Sequence, residues 1–398
     1  MTYMQSLIRH SALDGDAALL QICRRVCVLM WMAIRLALLG AALGPHSHAN
    51  AQIRIGQTID LSGPTAPSVR ELLVGAQWVF DDINAKGGIN GQKLELVQLD
   101  DGFDAKKTAE NARLLLQDPS VLGLFMTRGT PNTLAAIPAI NAARAPLIAP
   151  STGAHILQSP VQKHVFNVRT SYQSEVIAVL DHLHAISVGR VAVIHADDAF
   201  GDDVLEGARK SFTKNGVKPV ESIAIDRAKP DYESMLRRLE KAAPQAVLWA
   251  GASAVVAKGA QIVRERGLPI QLITLSNNAS QGFLDLLGPA AGGVIVTQVF
   301  PSEDSTEFLF IQQAKRLAQR SGRTVLTPAM LEGYAGAKVL VEALARASPN
   351  PSREKLQTAL ESMGDYDLGG LTVSYSRDRH LGIDHTHLSI VTGNKFLH

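Results

Sequence analysis

Beyond residue 51 this 398-residue sequence contains no cysteine, since both cysteines, Cys23 and Cys27, lie in the first segment. The body of the chain therefore has no disulfide framework, no thiol nucleophile and no cysteine metal site. Net charge is scarce as well. The 39 basic residues exceed the 37 acidic ones by only two, and the excess disappears once Arg9, Arg24, Arg25 and Arg35 are set against Asp14 and Asp16 of the first segment. A near-neutral body offers no electrostatic basis for binding nucleic acid or an anionic membrane surface. Signatures of catalysis are missing too: there is neither a glycine-rich phosphate loop ending in Lys-Ser or Lys-Thr nor a G-x-S-x-G elbow. The apolar run Leu36 to Leu43 is well short of the roughly 20 residues that span a bilayer.

What is present is globular, with 46% hydrophobic and 19% charged residues in a length that suits two or three domains. The first 51 residues read as an export leader: a basic stretch, an apolar run and small residues ending Ala49-Asn50-Ala51, with cleavage expected before Gln52. Arg35 interrupts the apolar run. A start at Met32 would restore a regular signal peptide, with Leu36 to Leu43 as its apolar region. No small-residue pair precedes either cysteine, so a free periplasmic protein is expected rather than a lipid-anchored one.

Val121 to Gly153 organises the body. Val121 to Thr127 is a short apolar run bounded by turn residues, as in a strand buried on both faces. Thr130 before Pro131 signals a helix start with Thr130 as its cap, and that helix is expected to reach about Ala143. Ala145 to Pro150 is the returning strand, which runs into Ser151 and Thr152. Two such strands side by side would place Thr130, Ser151 and Thr152 on one rim, an anion-binding corner made without a fixed charge. The competing reading is that these hydroxyls are ordinary caps.

Strand and helix patterns alternate on both sides of this stretch. Strands are expected at Ile53 to Ile59 and Lys93 to Leu99, and helices at Val69 to Lys86 and Ala105 to Gln117. A second alternating set runs from Val165 to Leu275. From Ser302 onward long helices dominate, and only two strands are expected, Leu371 to Tyr375 and Leu388 to Val391. The fold class is α/β: two lobes, each a doubly wound, mostly parallel sheet flanked by helices. The expected lobes are 52–170 with 302–375 and 171–301 with 376–398, joined by crossings near Ser171, Pro301 and Ser376. Three crossings make a hinge, and a hinge makes a cleft that can close.

The run from Gly75, GAQWVFDDINAKGGINGQKLELVQLDD, together with Leu61-Ser62-Gly63-Pro64, Ala145 to Ser151 and Phe200-Gly201, resembles the periplasmic solute-binding proteins of the leucine/isoleucine/valine type, which serve ATP-driven importers. The resemblance covers the chain after Gln52. It implies a ligand carboxylate held at Thr130, Ser151 and Thr152, and Phe200 covering the ligand from the second lobe. It also marks departures. The glutamate that holds a ligand ammonium in such proteins is replaced by Ser276 and Asn277, a tyrosine after Gly251 gives way to Ala252-Ser253, and an aromatic after Pro64 gives way to Pro67-Ser68. Phe103 and Gly129 stand where some relatives pair two cysteines.

The expected function is extracytoplasmic capture of a small carboxylated solute, a branched-chain amino acid or a related compound, and its delivery to an ABC permease by a monomer that needs no cofactor and performs no reaction. Ser253, Ser276 and Asn277 complete the expected ligand set. Loss of the acid favours a carboxylate without an α-ammonium, or an amide, because a buried ammonium needs a compensating acceptor. The alternative is a ligand-sensing receptor or regulator for amides or for aromatic or aliphatic acids. Metal binding is weighed at two places. His195, Asp197, Asp198, Asp202 and Asp203 span a strand end and a helix start, where aspartates serve as caps. His385 and His387 alternate as on a solvated strand face.

Overall fold

The computed structural model describes residues 52–398 and, upstream, only Arg25, Met30, Trp31, Met32 and Arg35. Apart from those positions, the leader and its cleavage junction lie outside the described residues. Gln52–His398 packs as one unit.

The first lobe opens with β1 (Ile53–Ile59), α1 (Ala66–Ala85), β2 (Leu94–Asp100), α2 (Ala105–Gln117), β3 (Val121–Phe125), α3 (Thr130–Ala143), β4 (Leu147–Ile148) and β5 (Val165–Phe166). Its sheet has the order β2-β1-β3-β4-β5, and every pair is parallel. The βαβ units make this arrangement natural, because each crossover helix returns the chain to the same edge and covers a face. Thr130 is not the cap of α3. The cap position is held by Gly129 at φ 85°, and no side chain closes that end.

The second lobe runs through α4 (Tyr172–Ala185), β6 (Val191–Ala196), α5 (Ala199–Lys214), β7 (Glu221–Ile225), α6 (Tyr232–Ala242), β8 (Ala246–Ala250), α7 (Ser253–Glu265), β9 (Gln271–Thr274), α8 (Gln281–Leu287) and β10 (Ile295–Gln298). The chain then returns to the first lobe with α9 (Leu309–Arg320), α10 (Pro328–Ala347) and α11 (Arg353–Glu361).

The segment after Ser302 holds five strands among the described residues rather than two. They are β11 (Gly364–Asp367), β12 (Thr372–Ser376), β13 (Arg379–Leu381), β14 (His387–Thr392) and β15 (Lys395–Leu397). The first three form a small antiparallel sheet, while β14 and β15 extend the second-lobe sheet to the order β15-β14-β10-β9-β8-β6-β7. The additional strands are short and polar, and Gly364–Asp367 lies mostly exposed. Residues 376–383 pack with the first lobe: the ring of His380 stacks on Phe166 at 4.0 Å, and Ile383 belongs to the first-lobe core.

That core joins residues far apart in sequence. Ile55, Phe80 and Phe125 share it with Leu331, Leu340 and Leu356. α10 lies directly against α1, and the contact depends on two glycines. A Cβ on Gly75 would collide with the carbonyl oxygen of Met330, and one on Gly333 with that of Leu72. Such backbone-to-backbone approach admits no side chain.

Two polar clusters tie the lobes together. The carboxylate of Glu71 on α1 accepts the N–H groups of Gln281 (3.0 Å) and Gly282 (2.8 Å) at the start of α8, and the hydroxyl of Thr327 at 2.6 Å. At the first crossing, Arg169 pairs with Glu175 of α4 at 2.5 Å and with Glu332 of α10 at 3.5 Å. Glu175 also accepts the N–H of Ser276 (3.0 Å) and the hydroxyl of Thr297 (2.5 Å). Burial opposes the charge on Arg169, but Glu332, Tyr172 and Glu175 together hold its guanidinium above the usual range.

Candidate functional site

In a doubly wound sheet, ligands meet the carboxyl ends of strands where the strand order reverses. Those ends face one another across the lobes. Thr65, Phe103, Arg128, Gly129, Thr130 and Ser151 line a gap from the first lobe, and Tyr172, Phe200, Arg227, Gly251, Ala252 and Asn277 line it from the second. The free space is about 20 Å³, roughly what a single water needs. No solute larger than water fits it in this form.

On the first-lobe rim, Arg128 and Ser151 form an isolated parallel bridge that extends β3 and β4 beyond their regular ends. The hydroxyls of Thr130 and Thr152 share a hydrogen bond of 2.8 Å. Thr130 lines the gap, whereas Thr152 stands behind it and accepts the N–H of Ala154 at 3.3 Å. The ring of Phe103 lies over Gly129, where a Cβ would come within 2.9 Å of Phe103 Cε2. Phe103 supplies a ring and Gly129 the room for it.

The corner is not free of fixed charge, contrary to the reading of its hydroxyls. Arg128 is 4% exposed. Its guanidinium donates to the hydroxyls of Ser151 (2.8 Å) and Ser68 (3.2 Å), and across the gap to the main-chain carbonyl of Asn277 (2.7 Å). All three partners are neutral. Burial accordingly pushes the guanidinium below its usual range. A second cation, Arg227, pairs with Asp198 at 2.5 Å and lies over the ring of Phe103 at 5.0 Å.

From the second lobe, Phe200 meets Tyr172 edge-on at 4.7 Å. Asn277 donates through Nδ2 to the carbonyl of Gly251 (2.9 Å) and to Asn278 Oδ1 (3.2 Å), while its own Oδ1 is buried without a partner. Ser253 and Ser276 are not among the lining residues. The Ser253 hydroxyl donates to Asn278 Oδ1 at 2.8 Å, and that of Ser276 accepts from Arg169 within the hinge cluster. Of the seven residues expected from the sequence, Thr130, Ser151, Phe200 and Asn277 come together at the gap, and Thr152, Ser253 and Ser276 do not.

Sequence reasoning passed over Arg128, Tyr172 and Arg227. Arg128 carried a usable signal, because an arginine at the end of an apolar strand, directly before a glycine and a helix, is placed where a strand meets its rim. The other two are found only through contacts between lobes.

The acids after β6 have separate partners. Asp198 caps α5 through the N–H of Phe200 (2.9 Å), and Asp203 accepts from Gln173 (2.7 Å) and, across the lobes, from the N–H of His155 (3.2 Å). His385 and His387 do not form a solvated face. They are half-buried and linked at 3.2 Å, and His387 reaches His398 at 2.8 Å, which in turn meets Glu303 at 2.8 Å. Among the described residues no three His, Cys, Asp or Glu side chains are grouped to hold a metal ion.

Comparison with known proteins identifies the family and the fold. A family model described as periplasmic binding protein matches residues 52–392. An amino acid binding protein of Pseudomonas aeruginosa is 25% identical over 254 residues, covering 64% of this chain and 67% of its own length. A Leu/Ile/Val-binding protein homolog 3 of Brucella melitensis is 23% identical over 345 residues, 84% of this chain and 90% of the relative. Among solved structures, a substrate-binding periplasmic protein from Ralstonia solanacearum superposes with a TM-score of 0.79 at 30% identity, over 85% of this chain and 98% of that one. A possible leucine/isoleucine/valine-binding protein from Rhodopirellula baltica superposes with a TM-score of 0.80 at 26% identity, over 87% and 95%.

Proposed function

This chain belongs to the periplasmic binding protein family, in its leucine/isoleucine/valine-type branch, and from that premise we propose that it is the extracytoplasmic solute-binding component of an ABC importer. In this reading it captures a small carboxylated solute, an amino acid or a related acid, between its lobes, and delivers it as a monomer to the membrane permease. The observation that carries the reading is a gap lined equally from both lobes and crossed by Arg128, whose guanidinium touches Ser151 on one side and the Asn277 carbonyl on the other. Only a ligand with greater affinity for the closed form can shift such lobes toward closure, and a ligand touching both rims has that property. The names of its relatives favour amino acids as the solute class.

Native mass spectrometry of freshly purified protein identifies any retained solute. Once that solute is removed and added back, small-angle scattering should show a smaller radius of gyration. An unchanged radius at saturation rules out capture by closure. Delivery predicts that cells lacking the gene lose uptake of the same solute.

A further inference from the structure

We propose that Arg128 and Asn277 select a monocarboxylate bearing a neutral hydrogen-bond donor, such as a 2-hydroxy acid, over the corresponding α-amino acid. The inference rests on the reading of the gap as the solute site. It begins with charge. Arg128 is buried and held by two hydroxyls and one carbonyl, with no carboxylate in ion-pair range among the described residues. A guanidinium taken out of water without an anion is costly, and its planar fork matches a carboxylate with two parallel hydrogen bonds. The other cation of the gap, Arg227, is already neutralised by Asp198. Glu332 and Asp60 attract the Arg128 guanidinium only from beyond ion-pair range, so its direct anionic partner is still to be supplied, and one carboxylate supplies it.

The second half of the solute meets Asn277. Its Nδ2 already serves two acceptors, which fixes the amide orientation and leaves Oδ1 as a buried acceptor with no donor. A ligand hydroxyl or amide N–H supplies that donor at no cost in charge. An ammonium does not fit there. The main-chain oxygen of the same residue lies 2.7 Å from the Arg128 guanidinium, so a cation at Oδ1 sits within one residue's span of a buried cation. No aspartate or glutamate lines the gap to offset it. The ligand's own carboxylate offsets the repulsion from Arg128, so what disfavours the charged amine is its lost hydration with only a neutral acceptor in return, a preference on the order of a hundredfold. Phe103, Tyr172 and Phe200 supply an apolar, ring-lined wall for the rest of the molecule.

The test compares matched ligands on the whole chain by thermal shift and calorimetry: leucine and phenylalanine, their hydroxy counterparts leucic and phenyllactic acid, and the plain acids isocaproic and hydrocinnamic acid. The hydroxy acids should bind most tightly, the plain acids more weakly, and the amino acids on the order of a hundredfold more weakly than the hydroxy acids. Arg128→Gln should abolish acid binding while leaving the unliganded protein folded, because it removes a buried charge rather than a partner of one. Asn277→Asp should shift the preference toward the amino acids by placing an anion at the donor position. The assignment is overturned if the amino acids bind as well as the acids, if none of the acids binds, if Arg128→Gln retains acid affinity, or if Asn277→Asp leaves the preference unchanged. Compaction by leucine at concentrations as low as leucic acid requires would overturn it while leaving capture by closure intact. A ligand that binds without compaction strikes the capture reading instead.

Discussion

Arg169 is 1% exposed and sits where the chain first passes between lobes, with Glu175 on one side and Glu332 on the other. A buried ion cluster adds little net stability when complete, but removing one member strands the others without compensation. Glu175→Ala should therefore destabilise the fold by about 3–5 kcal/mol, read as a lower urea midpoint, whereas breaking a surface pair such as Arg209 with Glu206 should leave the midpoint almost unchanged. A change in midpoint no larger than for the surface pair would show that the hinge cluster is not held by charge. Residues of this kind also mark the limit of sequence reading. Hydroxyls at strand ends were legible because local pattern places them there, and Thr130 and Ser151 do line the gap. The contact between Arg128 and Asn277 joins positions 149 apart, and the Arg169 cluster draws on residues 169–175, on Ser276, on Thr297 and on Glu332. Nothing in either neighbourhood announces the other.

Among elements, legibility followed length and periodicity. Ala105–Gln117 begins and ends where its helical spacing predicts, because two or three turns of apolar repeat suffice to define a face. β10, β11, β13, β15 and the seven-residue α8 were not legible, since three to seven residues hold too few repeats to separate strand from helix. β14 has a property that its alternation conceals. Burial, with His398 and His385 adding to it, lowers His387 to about 4. The ordinary histidine value is about 6.5, so this group favours the folded state fully above that pH. The advantage is lost as pH falls toward the folded-state value, because the unfolded chain then binds the proton more readily. The melting temperature should drop between about pH 6.5 and about pH 4, and His387→Gln should make the decline shallower. Parallel pH profiles for the two proteins would remove His387 as the cause.

For the molecule as a whole, the two lobes differ in how the chain supplies them. The second-lobe sheet and helices come almost unbroken from 172–298, with only the edge strands β14 and β15 added from the far end. The first lobe is different, because the face of its sheet bearing Ile55 and Phe125 is covered by α10 and α11, helices that arrive some two hundred residues later. Gly75 and Gly333 join α1 to α10 at backbone distance, so no other segment can substitute for that cover. The consequence concerns the order of folding. Half of the first lobe is made first and covered by helices that come much later in the chain, so its apolar face should wait exposed while the second lobe forms. Pairings so distant in sequence carry a loop-closure cost before they gain anything, which slows folding and leaves an aggregation-prone intermediate. A chain stopped after Phe300 should show amide protection in β6, β8 and β9 but little in β1 and β3, and it should bind a dye specific for exposed apolar surface. Equal protection in both sheets of that fragment, without dye binding, would mean that the first lobe does not wait for its last helices.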